Sequence, residues 1–97
     1  MTFECSLSFD GEPPLHQIVT RLATRGLLPR EIRADGAVLA FRETAEEQLV
    51  RWGGDVEISV TSDGLFVAIT VGAARTILAD IVDELAACGF SAKVAEL

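Results

Sequence analysis

The chain has 97 residues, the length of a single domain, and we expect one domain over residues 1–97. Its 15 acidic and 8 basic side chains give a net charge of −7. This charge argues against binding to nucleic acid or to an anionic membrane surface, because both require clustered lysine and arginine. A hydrophobic fraction of 49% excludes a disordered chain.

The N-terminal part predicts a strand followed by a helix. Apolar residues alternate with polar ones from Phe3 to Phe9, which is typical of a half-buried strand with Phe3, Cys5, Leu7 and Phe9 pointing inward. Five apolar side chains then recur at helical spacing: Leu15, Ile18, Val19, Leu22 and Ala23. Gly26 ends this predicted helix.

Two Asp-Gly pairs, at residues 35–36 and 63–64, predict β-hairpins, because both residue types tolerate a positive φ in a tight turn. Residues 65–71 after the second pair are almost wholly apolar. Such a run is typical of a central strand covered on both faces, or of a strand with one face against a partner.

Two further helices follow from the pattern. A capping box at Thr44–Glu47 predicts a short helix that ends at Gly53. A wider apolar stripe predicts a longer helix that ends at Gly89: Ile77, Leu78, Ile81, Val82, Leu85 and Cys88. Phe90, Ala92 and Val94 alternate in a last short strand.

The predicted order β-α-ββ-α-ββ-α-β belongs to the α+β class. We expect one two-layer sandwich, a mostly antiparallel sheet with the two longer helices packed on one face. The outline is ferredoxin-like, with an extra hairpin or short helix near residues 42–54.

Catalytic and metal-binding patterns are missing from the sequence, so we expect no enzyme activity, no cofactor and no metal site. The single histidine, His16, has no nucleophile or orienting acid nearby in sequence and is expected at the surface. Cys5 and Cys88 have no metal-ligand spacing and are expected to be buried thiols in a reducing cytoplasm, with a disulfide between them as the alternative. No signal peptide or membrane segment is recognisable.

Asp80, Asp83 and Glu84 share one face of the last predicted helix. Carboxylates at this spacing can bind a divalent cation, but we expect them to form the solvated side of the helix.

A basic segment interrupts the acidic chain. Residues 21–33 contain Arg21, Arg25, Arg30 and Arg33 against one glutamate. These arginines could form a docking patch for an acidic partner or neutralise the chain's own carboxylates, and we favour the second interpretation.

The acidic balance favours a small non-catalytic protein-interaction module, an inhibitor or immunity-type binder of a basic partner protein. The candidate partner-binding residues gather on and beside the short predicted helix: Glu43, Glu46, Glu47, Trp52, Asp55 and Glu57. Trp52 is either an interface anchor or a core residue.

Residues 10–27 resemble the opening of ACT domains through Asp10, Pro14, Leu15, Ile18, Leu22, Ala23, Gly26 and Leu27. The chain departs from that family at Pro13-Pro14, where ACT domains place a turn glycine. The resemblance implies a dimeric regulatory domain that binds a small molecule near residues 10–15. A second alternative is a self-assembling scaffold that pairs through residues 65–71, provided that this strand lies at a sheet edge.

Overall fold

A computed structural model of the chain describes residues 3–12, 14–41, 56–70 and 74–97, and Phe41 by its backbone. In chain order the elements are β1 (Phe3–Ser8), α1 (Leu15–Ala23), β2 (Leu27–Arg33), β3 (Gly36–Phe41), β4 (Val56–Val60), β5 (Gly64–Ile69), α2 (Ala74–Ala87) and β6 (Lys93–Glu96). The short helix expected after Thr44, and the extra element expected near residues 42–54, lie outside the described residues.

The strands form one six-stranded sheet in the order β2-β3-β4-β5-β1-β6, and every neighbouring pair is antiparallel. Strands β5 and β6 run in the same direction, because both pair antiparallel with β1, which lies between them. The predicted α+β fold with an antiparallel sheet and two packed helices is confirmed. The ferredoxin-like outline stays a prediction.

Both helices cover the same face of the sheet. The apolar stripe of α1 is buried at Leu15, Ile18, Val19 and Leu22, as predicted from its spacing. It joins the apolar stripe of α2 and the inward side chains of the strands in one core cluster, in which Cys5 and Leu7 are fully buried. The alternation predicted for β1 is thereby confirmed, with Phe3 and Phe9 packed at the margin of the core.

The expected hairpin at Asp35-Gly36 forms, but the reason given for its glycine is wrong. The two-residue turn consists of Ala34 and Asp35, and Gly36 is the first residue of β3, paired with Arg33. Gly36 is not among the described glycines with positive φ. A Cβ atom at Gly36 would lie 2.6 Å from the carbonyl oxygen of Ile58, so the close approach of β4 requires the missing side chain.

Strand β5 is interior, between β4 and β1, as its apolar sequence predicted. Leu65, Val67 and Ile69 are buried against the helices. Phe66 and Ala68, on the other face, are only partly buried and do not belong to the core cluster, so no described helix covers that face. The scaffold alternative requires residues 65–71 to lie at a sheet edge, but residues 65–69, the part of this run that lies in β5, are in the interior of the sheet.

The two edge strands differ in their chemistry. In β2, Pro29 and a register shift between Pro29 and Glu31 interrupt the regular ladder, which discourages pairing with another chain. Strand β6 is short and exposed along its length, and it starts at Lys93, later than the alternation from Phe90 suggested. Phe90 and Ala92 instead pack against the core before the strand begins.

Substitution of Gly64 by alanine tests the close packing of β5 on β1. The new Cβ atom would lie 2.0 Å from the carbonyl oxygen of Leu7, so the two central strands must separate. We expect the free energy of unfolding to fall by about 3 kcal/mol or more, measured by urea denaturation.

Gly26→Ala is the matched control, because Gly26 has a φ of 94° but no atom within 4 Å of the position that a Cβ atom would occupy. It should cost only about 1–2 kcal/mol, the penalty for left-handed backbone. Equal losses in the two variants would contradict the overlap argument.

Candidate functional site: the open face of the sheet

The candidate site is the sheet face that points away from the helices. Side chains alternate along each strand, so the residues between the buried positions of β1, β3, β4 and β5 share this face. We call these side chains the open face: Glu4, Ser6, Ser8, Val38, Glu57, Ser59, Phe66 and Ala68. Ala40 of β3 is on the same side of the sheet but is fully buried, so the face is not open at that end of β3.

One cross-strand row of the open face alternates acidic and apolar side chains. Glu57 pairs with Val38 on one side and with Ala68 on the other, and Ala68 pairs in turn with Glu4. Glu31 of β2 extends the row beyond Val38. Glu4 and Glu57 are two strand spacings apart, which places their backbones roughly 10 Å from each other.

The adjacent row places Phe66 among small side chains. Ser59 and Ser6 are its direct cross-strand partners, and Gly36 and Ala95 lie one strand further out. The Phe66 side chain is partly exposed. The apolar ring of Phe66 is therefore on the open face, with small residues on both sides of it.

The carboxylates of Glu4 and Glu57 form no ion pair or hydrogen bond within the described part of the chain. Both residues are exposed. Glu31 differs, because its carboxylate lies 3.6 Å from Nε of Arg33. The centre of the open face thus carries two negative charges that the described residues do not neutralise.

The helix layer neutralises two arginines of the basic segment internally. Arg21 donates a hydrogen bond through Nε to Glu84, and Arg25 donates to Glu84 through Nε at 2.8 Å. Arg25 also donates through a terminal nitrogen to Asp80 at 2.6 Å. Arg21 and Arg25 thus neutralise carboxylates of the chain itself, which is the interpretation that we favoured for the basic segment.

Glu84 corrects the expectation that the acidic face of α2 is solvated. Its side chain is only 6% exposed, because it faces α1 and contacts the guanidinium groups of Arg21 in α1 and of Arg25 in the turn that follows α1. Hydrogen bonds from Arg21, and then from Arg25, hold the pKa of the Glu84 carboxyl below its ordinary value, although desolvation acts in the opposite direction. Asp83 is exposed, as expected.

The other two arginines of the predicted docking patch lie in β2. Arg33 is close to Glu31, and Arg30 is not free either. A role of Arg21, Arg25, Arg30 and Arg33 in docking an acidic partner stays a prediction.

Of the predicted partner-binding residues, the structure places Glu57 on the open face. Glu43, Glu46, Glu47, Trp52 and Asp55 lie outside the described residues. Sequence reasoning missed Glu4 and Phe66 as members of the same surface. The signal for Glu4 was its outward position in the alternation of β1, but its proximity to Glu57 depends on β5 lying between β1 and β4.

Described residues also line two clefts. One, of about 690 Å³, is lined by Pro14, Leu15, His16, Gln17, Ile32, Arg33 and Ala34. The other, of about 610 Å³, is more polar and is lined by Ser8, Phe9, Asp10, Gly11, Ser62, Asp63, Ser91 and Lys93. In the described ranges, no three histidine, cysteine or acidic side chains are grouped so that they could hold a metal ion.

The cysteines are both free thiols, so the structure does not show the alternative disulfide. Burial, and then the charge of Glu96, raises the pKa of the Cys5 thiol, which disfavours the reactive thiolate. His16 is exposed, as expected.

The chain matches no protein-family model, and no curated protein or solved structure is significantly similar to it. No helix within the described residues has the length and apolar character needed to cross a membrane.

Glu84→Gln tests the buried ion pairs through the pH dependence of stability. The pKa of Glu84 is lowered in the folded state, so its ion pairs stabilise the fold above the unfolded pKa of about 4.3 and lose this effect as pH falls through the folded pKa. We expect the variant to be less stable than the wild type at neutral pH and to lose less stability on acidification, measured by urea denaturation across the pH range.

The control is Asp83→Asn, which removes an exposed neighbouring carboxylate and should keep the acid dependence of the wild type. An unchanged acid dependence in Glu84→Gln would contradict the assignment of the stabilising charge to Glu84.

Proposed function

We propose that the chain is a non-catalytic protein-interaction module whose open face binds a basic surface of another protein. One observation carries the proposal: Glu4 and Glu57, without partners in the described part of the chain, flank the partly exposed Phe66 and Ala68. An apolar centre with charges around it is the composition of a protein interface, with area from the apolar groups and selectivity from the charges.

The distribution of charge supports a basic partner. The chain carries a net charge of −7, and Arg21 and Arg25 form ion pairs with Glu84 and Asp80. A negative protein attracts a positive one over distance, which raises the association rate and makes it sensitive to salt. An inhibitor or immunity-type role toward a basic partner fits this behaviour.

The thiols and the histidine support a non-catalytic role. The raised pKa of Cys5 keeps that thiol protonated, and exposed His16 has no hydrogen bond from its ring to an orienting acid within the described residues. The free thiols Cys5 and Cys88 suit the reducing cytoplasm, which we propose as the compartment.

Charge reversal on the open face tests the proposed function. We expect immobilised wild-type protein to retain basic proteins at low salt and to release them as salt rises. The double variant Glu4→Lys/Glu57→Lys should retain about tenfold less, because it places positive charge where the partner's cations would lie.

A control of equal net charge, Glu12→Lys/Asp83→Lys, changes two exposed carboxylates outside the open face and should retain the same proteins as the wild type. Thermal melts establish that both variants are folded. Equal retention by the face variant and the control, or retention that salt does not affect, would contradict the proposal.

A second candidate function is supported by the cleft of about 690 Å³ beside the start of α1. Its volume lies in the range of small-molecule sites, and it adjoins the turn at residues 10–15 where the ACT-like alternative expects a ligand. A regulatory domain of this kind would act as a homodimer.

Light scattering and ligand screening decide on this second candidate. It predicts a dimer, and a rise in melting temperature with a free amino acid or another small molecule, which Arg33→Ala at the cleft should reduce. A monomer at high protein concentration whose melting temperature no amino acid changes would contradict it.

A further inference from the structure

We propose that the open face contains an arginine-selective site formed by Phe66, Glu4 and Glu57, which receives one guanidinium group of the partner. The inference rests on the proposed function and names the side chain that the face recognises.

The strand register brings the three side chains together. Phe66 is directly opposite Ser59 and Ser6, and each glutamate is two residues from one of these serines on the same strand face. Both glutamates are therefore diagonal neighbours of Phe66, roughly 7–8 Å away across the sheet, a separation that aromatic and long side chains span. Ala68 lies directly between the two glutamates, and Phe66 is on the same strand face in the adjacent row.

The chain already holds one guanidinium with the same groups. The guanidinium carbon of Arg75 lies 5.6 Å from the ring centroid of Phe3, and a terminal nitrogen of Arg75 donates a hydrogen bond to Glu96 at 2.8 Å. One arginine thus contacts a phenylalanine ring and a carboxylate simultaneously. Phe66 has the same kind of neighbours and no cation over its ring within the described residues.

Arginine satisfies this arrangement better than lysine does. A guanidinium is planar, so it can stack on a ring while its edge donates hydrogen bonds to carboxylates in its plane. A lysine ammonium is a compact charge that keeps more of its hydration and lacks the flat surface. Two acidic side chains beside a ring therefore favour a guanidinium.

Small neighbours leave access to the site. Ser6 and Ser59 flank the ring directly, and Gly36 and Ala95 continue the row. Two cations of the described chain lie on this side of the sheet, both on edge strands: Arg33 on β2, close to Glu31, and Lys93 on β6, opposite Ser8. An extended partner segment can cross the strands at this row and insert one arginine.

Calorimetric titration with arginine and lysine homopeptides of equal length tests the site. We expect the arginine peptide to bind the wild type more tightly. Phe66→Leu keeps an apolar side chain but removes the ring, so it should weaken the arginine peptide by about two- to fivefold and leave the lysine peptide nearly unchanged. Glu57→Gln should weaken both peptides, and the control Asp83→Asn should weaken them less.

The outcomes separate this inference from the proposed function. Equal affinities for the two peptides, with no effect of Phe66→Leu, would overturn the arginine site. A loss of affinity in Glu57→Gln that Asp83→Asn does not show would in that case still support the acidic binding face. Equal losses in Glu57→Gln and Asp83→Asn, or no binding of either peptide, would contradict both. Light scattering during the titration detects a second copy of the chain on the face, which would also overturn the site.

Discussion

Two helices cover one face of a six-stranded sheet, and this constraint determines where every other group of the fold can act. The side chains that alternate toward the helices are almost all apolar and buried. Those on the opposite face do not belong to the core cluster, and apart from Ala40 they are exposed or only partly buried in β3, β4 and β5. Strand β5 contributes to both faces of the sheet, with Leu65 and Val67 in the core and Phe66 and Ala68 on the open face. Phe66 is an apolar group of this face that the proposed binding would remove from water.

The charge distribution follows from the way in which the helices pack. Glu84 faces α1 and is nearly excluded from solvent, so its negative charge requires Arg21 and Arg25 beside it. Those arginines are then unavailable to neutralise the open face, which lies on the other side of the sheet. Glu4 and Glu57 therefore keep charges that neither of these arginines neutralises. Core packing, surface charge and proposed binding are linked through this one polar contact.

Much of the fold could be predicted from local patterns, because hydrophobic alternation and helical spacing reflect burial directly. The α1 stripe from Leu15 to Leu22 and the interior position of β5 are examples. Burial of Glu84 could not be predicted, since it depends on which face of α2 meets α1. The open face could not be predicted from the sequence either, because Glu4 and Glu57 are far apart in sequence and only the strand order brings them to the two sides of β5. The sequence pattern predicts a positive φ at Gly36, whereas the structure needs glycine there because a side chain would collide with the backbone of β4.

The most direct test of the open face as a binding surface is amide chemical-shift mapping of the isotope-labelled chain during titration with an arginine homopeptide. We expect the largest shifts on β1, β4 and β5, at Glu4, Glu57, Phe66 and the adjacent Ser6 and Ser59, with much smaller shifts along α1 and α2. Shifts that centre on the exposed acids of α2 or on the cleft around His16, with the open face unchanged, would contradict it.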